Sequence, residues 1–198
     1  MELSKSFTLN ELIPRLTYDF IDHFKKYDLK DKICVEIGSG NSTIYWSNYF
    51  KKIISYENDL NYFNDIKQKT KNMLNVEILK FEKNIFYDVN FKKNINEADV
   101  IIIDNNPAFI DRKNFCVFAK ENKKEESLIV LDNGTWNIDA YDYLIKNFFC
   151  LDFPGINKNN KLTVTSLFFQ KKTEAYFNFS IAYEKNVIDA INKPRKDE

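Results

Sequence analysis

Two glycines and a nearby acid are the residues of this chain whose types and spacing best suit ligand binding. Gly38 and Gly40 directly follow the apolar run 33–37. Glycines in such a turn can take backbone angles that a side chain would forbid, and they let main-chain N–H groups approach a ligand. About nineteen residues after Gly38, the run 52–56 ends in Glu57, close to the spacing at which an acid binds ribose hydroxyls. Together these features predict a site for a nucleoside-containing ligand.

Thr43 distinguishes this turn from a dinucleotide fingerprint. It stands where the third glycine of a Gly-x-Gly-x-x-Gly motif would be, so the match to the pyrophosphate-binding pattern is weak. Asn41, Ser42 or Thr43 can cap the helix that follows the turn. We therefore expect a nucleoside ligand other than NAD.

Two later apolar runs also end in acids. The run 98–104 ends in Asp104, and the run 127–133 ends in the pair Asp132 and Asn133. The apolar stretches within them, 100–103 and 128–131, are typical of strands that are buried on both faces. Ligands of open α/β sheets bind at the carboxyl ends of the strands, so we expect these side chains to share one site with the glycine turn.

The elements that must position these residues alternate between strand and helix, as in a parallel α/β sheet. The pattern predicts strands over 33–37, 53–57, 76–79, 98–104 and 127–133, and helices over 43–49, 60–70, 109–120 and 138–147. It then predicts two antiparallel strands, 149–153 and 162–170, with a turn at Pro154 and Gly155.

The whole chain, 1–198, is expected to be one domain. Its predicted parts are a helical cap (1–30), a core (31–171) and a tail (172–198) with a weakly amphipathic stretch at 181–191. The cap helix is predicted to begin at Thr8 or Asn10, with Pro14 in its first turn, and to continue through Phe24.

Composition excludes several classes of function. Lys and Arg number 29 and so do Asp and Glu, so no net charge draws the protein to nucleic acid or to an anionic membrane. The single histidine, His23, argues against histidine-rich zinc sites and Ser-His-Asp hydrolysis. Cys34, Cys116 and Cys150 show no Cys-x-x-Cys spacing and are interpreted as reduced core residues. With neither a membrane-spanning run nor a signal-peptide core in the sequence, we expect a cytoplasmic protein.

Residues 32–170 resemble a class I S-adenosylmethionine-dependent methyltransferase. The resemblance is carried by the glycine turn, the acid after the second strand, the acids after the fourth and fifth strands, and the closing antiparallel pair. It implies a Rossmann-like α/β fold with a mostly parallel seven-stranded sheet, a terminal antiparallel strand and helices on both faces. It also implies S-adenosylmethionine as the cofactor.

The resemblance assigns roles to particular residues. It implies that the turn residues surround the methionine part of the cofactor, that Glu57 takes the ribose hydroxyls, and that Asp104 also lies at the cofactor. Glu36 would help to place the ammonium group. It leaves the adenine contact unassigned. The turn residues concerned are Glu36, Gly38, Ser39 and Gly40.

Methyl transfer needs the acceptor aligned with the methyl group and, where necessary, deprotonated. Asp104 and Asp132 are the predicted catalytic residues. In catechol O-methyltransferase-like enzymes, residues of these types bind Mg²⁺, so Asp104, Asp132 and Asn133 are candidate metal ligands. Two alternatives remain open: Asp132, Asn133 and Gly134 form only a turn, or Asp104 is a metal-free general base.

Acceptor recognition has its own candidates. Trp136 can line an acceptor pocket or pack a helix, and Arg112 can hold an anionic acceptor or be an exposed helix residue. Asn133 is a further candidate for acceptor binding. The leading prediction is a methyltransferase acting at oxygen on a small molecule or saccharide, with no membrane partner and no nucleic acid.

Two other functions are kept as hypotheses. Residues 106–109, Asn-Pro-Ala-Phe, are similar to the Asn/Asp-Pro-Pro-Tyr/Phe motif of amino methyltransferases of nucleic acids and proteins, although Ala108 replaces the second proline. That motif would make the chain an N-methyltransferase. The third hypothesis is a non-catalytic module that retains cofactor binding.

Overall fold

A seven-stranded sheet runs through residues 12–170, the part of the chain that the computed structural model describes. The strand order is β3-β2-β1-β4-β5-β7-β6. Neighbours among the first five strands pair in parallel, whereas β7 is antiparallel to both β5 and β6. The predicted mostly parallel sheet with an antiparallel end is confirmed. The strands are β1 (Ile33–Ile37), β2 (Lys52–Glu57), β3 (Val76–Lys80), β4 (Val100–Ile103), β5 (Leu128–Leu131), β6 (Phe149–Ile156) and β7 (Leu162–Phe169).

Helices cover both faces of this sheet because alternate residues of each central strand point to opposite sides. Val35 and Ile101 pack with helices on one face, and Cys34 and Val100 pack with helices on the other. Four central positions of this kind are fully buried. The helices are α1 (Tyr18–Phe24), α2 (Asn41–Trp46), α3 (Leu60–Lys69), α4 (Val89–Glu97), α5 (Arg112–Asn122) and α6 (Ile138–Ile145), with 3₁₀ turns at Ile85–Tyr87 and Gly134–Trp136.

The cap helix is shorter than the sequence predicts. It begins at Tyr18, and residues 13–17 are not helical, so placing Pro14 in its first turn was wrong. The reason is a tertiary contact at Thr17. Its N–H donates to Thr165 Oγ1 over 3.0 Å, and its hydroxyl donates to the carbonyl of Phe153 over 3.0 Å. The predicted starts at Thr8 and Asn10 lie outside the described residues.

The closing hairpin turns later than predicted. Pro154 and Gly155 lie within β6, where they pair with Val164 and Thr163. β6 is the outermost strand, and proline is tolerated there because its missing N–H costs no sheet hydrogen bond on the open side. The chain turns instead at 157–161, where the carboxamide oxygen of Asn157 accepts from two backbone N–H groups.

One helix, α4, was not predicted. Asp88 caps it by accepting from the N–H groups of Asn90 and Phe91. Phe91 and Ile95 supply the single apolar face, four residues apart, and both are fully buried. The polar residues between them obscure this short repeat in the sequence.

The histidine and the cysteines lie in the structural scaffold. His23 is half-buried in α1, where its ring packs on Phe153 and its Nε2 bonds the Tyr27 hydroxyl. Burial lowers the pKa of His23 below its usual value. Cys34 and Cys116 are buried, Cys150 is half-buried, and all three are free thiols. Among residues 12–170, no helix is long and apolar enough to cross a membrane.

Candidate functional site

A cavity of about 560 Å³ opens at the carboxyl ends of β1, β2, β4 and β5. The structure therefore brings together most residues that the sequence singled out, although they are far apart in the chain. Glu36 is the predicted site residue that does not line it. The predicted residues on its wall are Gly38, Ser39, Gly40, Glu57, Asp104, Arg112, Asp132, Asn133 and Trp136.

Gly38 is where the turn depends on glycine. Its φ is +98°, and an added Cβ would lie 2.5 Å from the carbonyl oxygen of Asp104. The same residue donates its N–H to the carbonyl of Tyr56 over 2.8 Å. Gly38 thus brings β1, β2 and the loop after β4 into close contact at the floor of the cavity.

Gly40 differs from Gly38, and the expectation of a special backbone angle there was wrong. Its φ is −178°, which is extended backbone that any residue can adopt. The nearest atom to an added Cβ would be Ser42 Oγ at 3.9 Å. Gly40 also lines the cavity, so what it offers a ligand is close access to the main chain.

Glu36 stabilises the turn from below. The Ser42 and Thr43 hydroxyls donate to its two carboxylate oxygens, and the Ser55 hydroxyl donates over 2.9 Å. Burial raises the pKa of Glu36 to about 7, although the three hydroxyl donors oppose the shift. These contacts tie β1, β2 and the start of α2 together. A contact between Glu36 and the ammonium group of a cofactor stays a prediction.

Glu57 is held at the cavity wall by the backbone. Its Oε2 accepts from the N–H of Ser39 over 2.9 Å, and its Oε1 accepts from the N–H groups of Asn58 and Asp59 over 2.8 Å each. An ionised carboxylate offers about four acceptor positions, so about one remains for a ligand hydroxyl. Burial raises the pKa of Glu57, and the three N–H donors counteract that shift.

Two carboxyl groups meet on the opposite wall. Asp104 and Asp132 lie close enough for each to influence the ionisation of the other. Burial, reinforced by the charge of Asp104, raises the pKa of Asp132 to about 8, and burial also raises the pKa of Asp104 against the effect of Arg112. Like charges this close disfavour double ionisation, so these surroundings favour a pair that carries one proton. Asp104 is the member that is partly exposed to the cavity, at 22%.

Arg112 fastens the loops that carry this pair. It is 5% exposed, so the alternative of an exposed helix residue was wrong. Its guanidinium donates to Asp104 Oδ1 over 2.9 Å, to the carbonyl of Asn105 over 2.9 Å and to the carbonyl of Asp132 over 2.5 Å. Any contact between Arg112 and an anionic acceptor would compete with these bonds, and it stays a prediction.

The predicted magnesium ligands do not fit a metal site. Both oxygens of Asp132 accept hydrogen bonds, one from Thr165 and one from the side-chain amide of Asn133. The side-chain amide oxygen of Asn133 accepts from the Thr163 hydroxyl over 2.8 Å, and a guanidinium already bonds Asp104. Within residues 12–170, no group of three or more Asp, Glu, His or Cys is placed to hold a metal ion.

The rim of the cavity carries an exposed aromatic side chain. Trp136 is 58% exposed, so the alternative that it packs a helix was wrong. The ammonium group of Lys161 lies 5.8 Å from its ring centroid. This rim belongs to the 3₁₀ turn after β5 and to the turn between β6 and β7, on the same side as Asp132 and away from Glu57.

The segment 106–109 is not arranged as an amino methyltransferase motif would be. The side-chain oxygen of Asn106 accepts from the N–H of Ala108 over 3.1 Å, so it closes its own loop. The ring of Phe109 packs against Phe81, 5.9 Å between centroids, instead of standing free to stack on a substrate. Asn106 nevertheless lines the cavity.

Sequence reasoning missed several lining residues, and two groups of them are instructive. Tyr62, Asp65 and Lys69 lie on one face of α3, and their spacing of three and four residues was the available signal. Arg15 and Asn105 had no such signal, because tertiary contacts place them at the cavity.

Comparison with solved structures identifies the fold. The chain is similar to an O-methyltransferase from Bacillus cereus in complex with SAH (TM-score 0.56, 12% identity, covering 86% of this chain and 83% of that one). It is similar to the M1A22 tRNA methyltransferase TrmK of B. subtilis (0.53, 14%, 87% and 79%). It is also similar to precorrin-6y C5,15-methyltransferase from Geobacter metallireducens GS-15 (0.52, 16%, 71% and 81%).

These identities are low, so the likeness establishes the fold alone. The chain has the class I S-adenosylmethionine-dependent methyltransferase fold, as the resemblance implied. Neither a protein-family model nor a curated protein sequence matches it.

Proposed function

We propose that this protein is an S-adenosylmethionine-dependent methyltransferase acting at oxygen on a small molecule or saccharide. The observation that carries the proposal is the cavity itself, which joins the Gly38 turn to the Glu57 carboxylate at the strand ends of a methyltransferase fold. The complex of a similar O-methyltransferase with SAH supports the choice of cofactor.

The cofactor would lie across the ends of β2, β1 and β4. Glu57 would accept from a ribose hydroxyl, because its carboxylate is already oriented by three backbone N–H groups. The methionine part would lie over Ser39 and Gly40, where the main chain is open to the cavity. The acceptor would then occupy the part of the cavity that Asp104 and Trp136 line.

Asp104 is the proposed general base for the acceptor hydroxyl. It is the partly exposed member of the acid pair, and the charge of Arg112 favours its ionised form. Asp132 is fully buried and is the member whose pKa is raised to about 8, so it would keep the shared proton. The cofactor would supply an activated methyl group and leave as S-adenosylhomocysteine, and Asp104 would orient the acceptor hydroxyl and take up its proton.

The choice of a small acceptor rests on the rim. An exposed tryptophan beside the polar turn 157–161 suits a flat ligand or the apolar face of a sugar. The absence of net charge in the sequence argues against a long nucleic acid. A tRNA methyltransferase shares the fold, so RNA is the acceptor class to compare.

Isothermal titration with S-adenosylhomocysteine tests cofactor binding directly. Wild-type protein should bind, and Glu57→Ala should weaken binding at least about tenfold, because a buried ligand hydroxyl would lose its acceptor. Glu77→Ala is the matched control: Glu77 is exposed on β3 and pairs with Lys52, outside the cavity. No binding to wild-type protein would contradict the proposal.

Methyl transfer itself is tested with a panel of saccharides, phenols and an unmodified tRNA. Asp104→Asn should bind S-adenosylhomocysteine but transfer methyl groups at least about a hundredfold more slowly, as expected for loss of a general base. Methylation of tRNA alone would overturn the acceptor class. Cofactor binding with no transfer to any acceptor would favour the non-catalytic module.

A further inference from the structure

Asn105 is a buried residue of the cavity wall with an unusual hydrogen-bonding state. It follows Asp104 in the loop between β4 and α5 and is 1% exposed. Its carboxamide NH₂ group donates to the carbonyl of Ile110 over 2.7 Å and to the carbonyl of Asn106 over 3.2 Å. Its carboxamide oxygen is buried and has no hydrogen-bond donor among the described residues.

The orientation of this carboxamide follows from its neighbours. Exchanging the nitrogen and oxygen would place the oxygen against two carbonyl oxygens, which cannot donate, and two hydrogen bonds would be lost. The NH₂ group must therefore face Ile110 and Asn106. The oxygen is left as an acceptor in a place where bulk water does not reach it.

The loop around Asn105 cannot easily move to find a donor. The carbonyl of Asn105 accepts from Arg112 Nε over 2.9 Å. Its Cα would lie 2.9 Å from a Cβ placed on Gly38, so the loop is packed directly against the glycine turn. Buried acceptors without a partner are rare in folded proteins, and each one calls for an explanation. Asn105 lines the cavity, so a ligand bound there would lie next to this acceptor.

We propose that the carboxamide oxygen of Asn105 accepts a hydrogen bond from an N–H group of the bound S-adenosyl cofactor. This inference rests on the proposed function and adds a binding residue to it. The cofactor carries two groups of that chemistry, the α-ammonium of its methionine part and the 6-amino group of adenine. Both are nitrogen donors, and Asn105 lies beside the turn over which the cofactor would extend.

A thermodynamic cycle between protein and ligand tests the contact. Wild-type and Asn105→Ala proteins are each titrated with S-adenosylhomocysteine, with its desamino analogue, and with its purine riboside analogue, which lacks the 6-amino group. For one analogue, wild-type protein should bind about tenfold more weakly than it binds S-adenosylhomocysteine. In Asn105→Ala that difference should disappear, and the analogue for which it disappears identifies the donor.

Asn105→Ala also removes the two bonds that its NH₂ group makes, so a control must loosen the same loop and keep the acceptor. Asp111→Ala does this: Asp111 is exposed and caps α5 by accepting from the N–H of Lys113 over 2.8 Å. Asp111→Ala should show the same ratios of affinity between S-adenosylhomocysteine and its analogues as wild-type protein does. Each comparison is a ratio of two affinities that are measured on the same protein. A variant that weakens the binding of all ligands equally leaves this ratio unchanged.

Three results would overturn the inference. One is equal affinity of wild-type protein for S-adenosylhomocysteine and for both analogues, a result that can be observed without any variant. Another is a wild-type preference that persists in full in Asn105→Ala. The third is loss of the preference for S-adenosylhomocysteine in Asp111→Ala as well as in Asn105→Ala. The preference would then depend on the structure of the loop and not on the acceptor oxygen. Failure of wild-type protein to bind S-adenosylhomocysteine at all would instead refute the proposed function.

Discussion

The residues on the two sides of the cavity are positioned by different kinds of interaction. On the β1–β2 side, Gly38 and Glu57 are positioned by backbone hydrogen bonds and by the absence of a side chain. On the β4–β5 side, side chains do this work: Arg112 pairs with Asp104 and also donates to the carbonyl of Asp132. The first side therefore has one geometry that the fold itself imposes. On the second side, burial and neighbouring charge shift the ionisation of both acids.

The most severe test of this contrast is Gly38→Ala. Its Cβ would overlap the backbone of Asp104, and its φ of +98° is strained for alanine. We expect a loss of at least about 3 kcal/mol in the free energy of unfolding, measured by chemical denaturation. Gly40→Ala is the control, and it should stay within about 1 kcal/mol of wild type. Equal losses in both variants would mean that the glycines act alike.

Arg112→Met should have the next largest effect, on the other side. It keeps most of the side-chain volume but leaves Asp104 and two buried carbonyls without their donor. Breaking a buried ion pair from one side costs about 3 kcal/mol or more in the free energy of unfolding. Lys113→Met, at the adjacent exposed position, should cost little. A stable Arg112→Met protein would show that the acid pair needs no cation.

The acid pair should also make stability depend on pH. Burial raises the pKa of Asp132 from 3.8 to about 8, so over that range the folded state keeps a proton that the unfolded state has lost. This group therefore lowers stability as the pH rises from about 4 to about 8 and adds no change above it. Glu36, with its pKa raised to about 7, acts in the same direction.

We expect the melting temperature of wild-type protein to fall by several degrees between pH 5 and pH 8, measured by differential scanning fluorimetry. Asp132→Asn cannot ionise, so its decline should be shallower, with the raised pKa values of Glu36, Glu57 and Asp104 as the remaining causes. The exposed Asp139→Asn serves as the control and should follow the wild-type curve. An unchanged slope in Asp132→Asn would argue against the shared proton.

The smallest effect is expected at the rim, where it would sharpen the division between the two sides. Trp136→Ala removes an exposed ring, so the free energy of unfolding should stay within about 0.5 kcal/mol of wild type. Affinity for S-adenosylhomocysteine should change by less than about twofold, because the ring lies away from Glu57. A loss as large as that in Glu57→Ala would assign Trp136 to the cofactor side.

Sequence reasoning worked where the signal is local. Periodicity placed the strands because each central strand is a short apolar run, and it located Glu57, Asp104 and Asp132 at strand ends. It failed where a distant contact decides the outcome. The start of α1 depends on the bonds of Thr17 with β6 and β7, and the hairpin turn depends on the side chain of Asn157.

The site shows the same limit. Residue type and spacing located the carboxylates, but they did not reveal that Arg112 is buried between two loops or that the Asn133 amide faces Asp132. Arg112 bonds a loop twenty residues further along the chain, and the bond between the neighbours Asp132 and Asn133 depends on how the amide side chain is oriented, so residue spacing predicts neither. The roles of individual residues in binding and catalysis, and the cytoplasmic location, stay predictions.

The two tryptophans of the chain occupy opposite environments. Trp46 is completely buried among the rings of Phe20 and Phe24, whereas Trp136 stands 58% exposed at the mouth of the cavity. Intrinsic fluorescence therefore has two separable sources. Trp46 should emit at shorter wavelength and be shielded from quenching by acrylamide, whereas Trp136 should emit at longer wavelength and be quenched. Trp136→Phe would leave an optical report of folding alone, and Trp46→Phe would leave one that responds to occupation of the cavity.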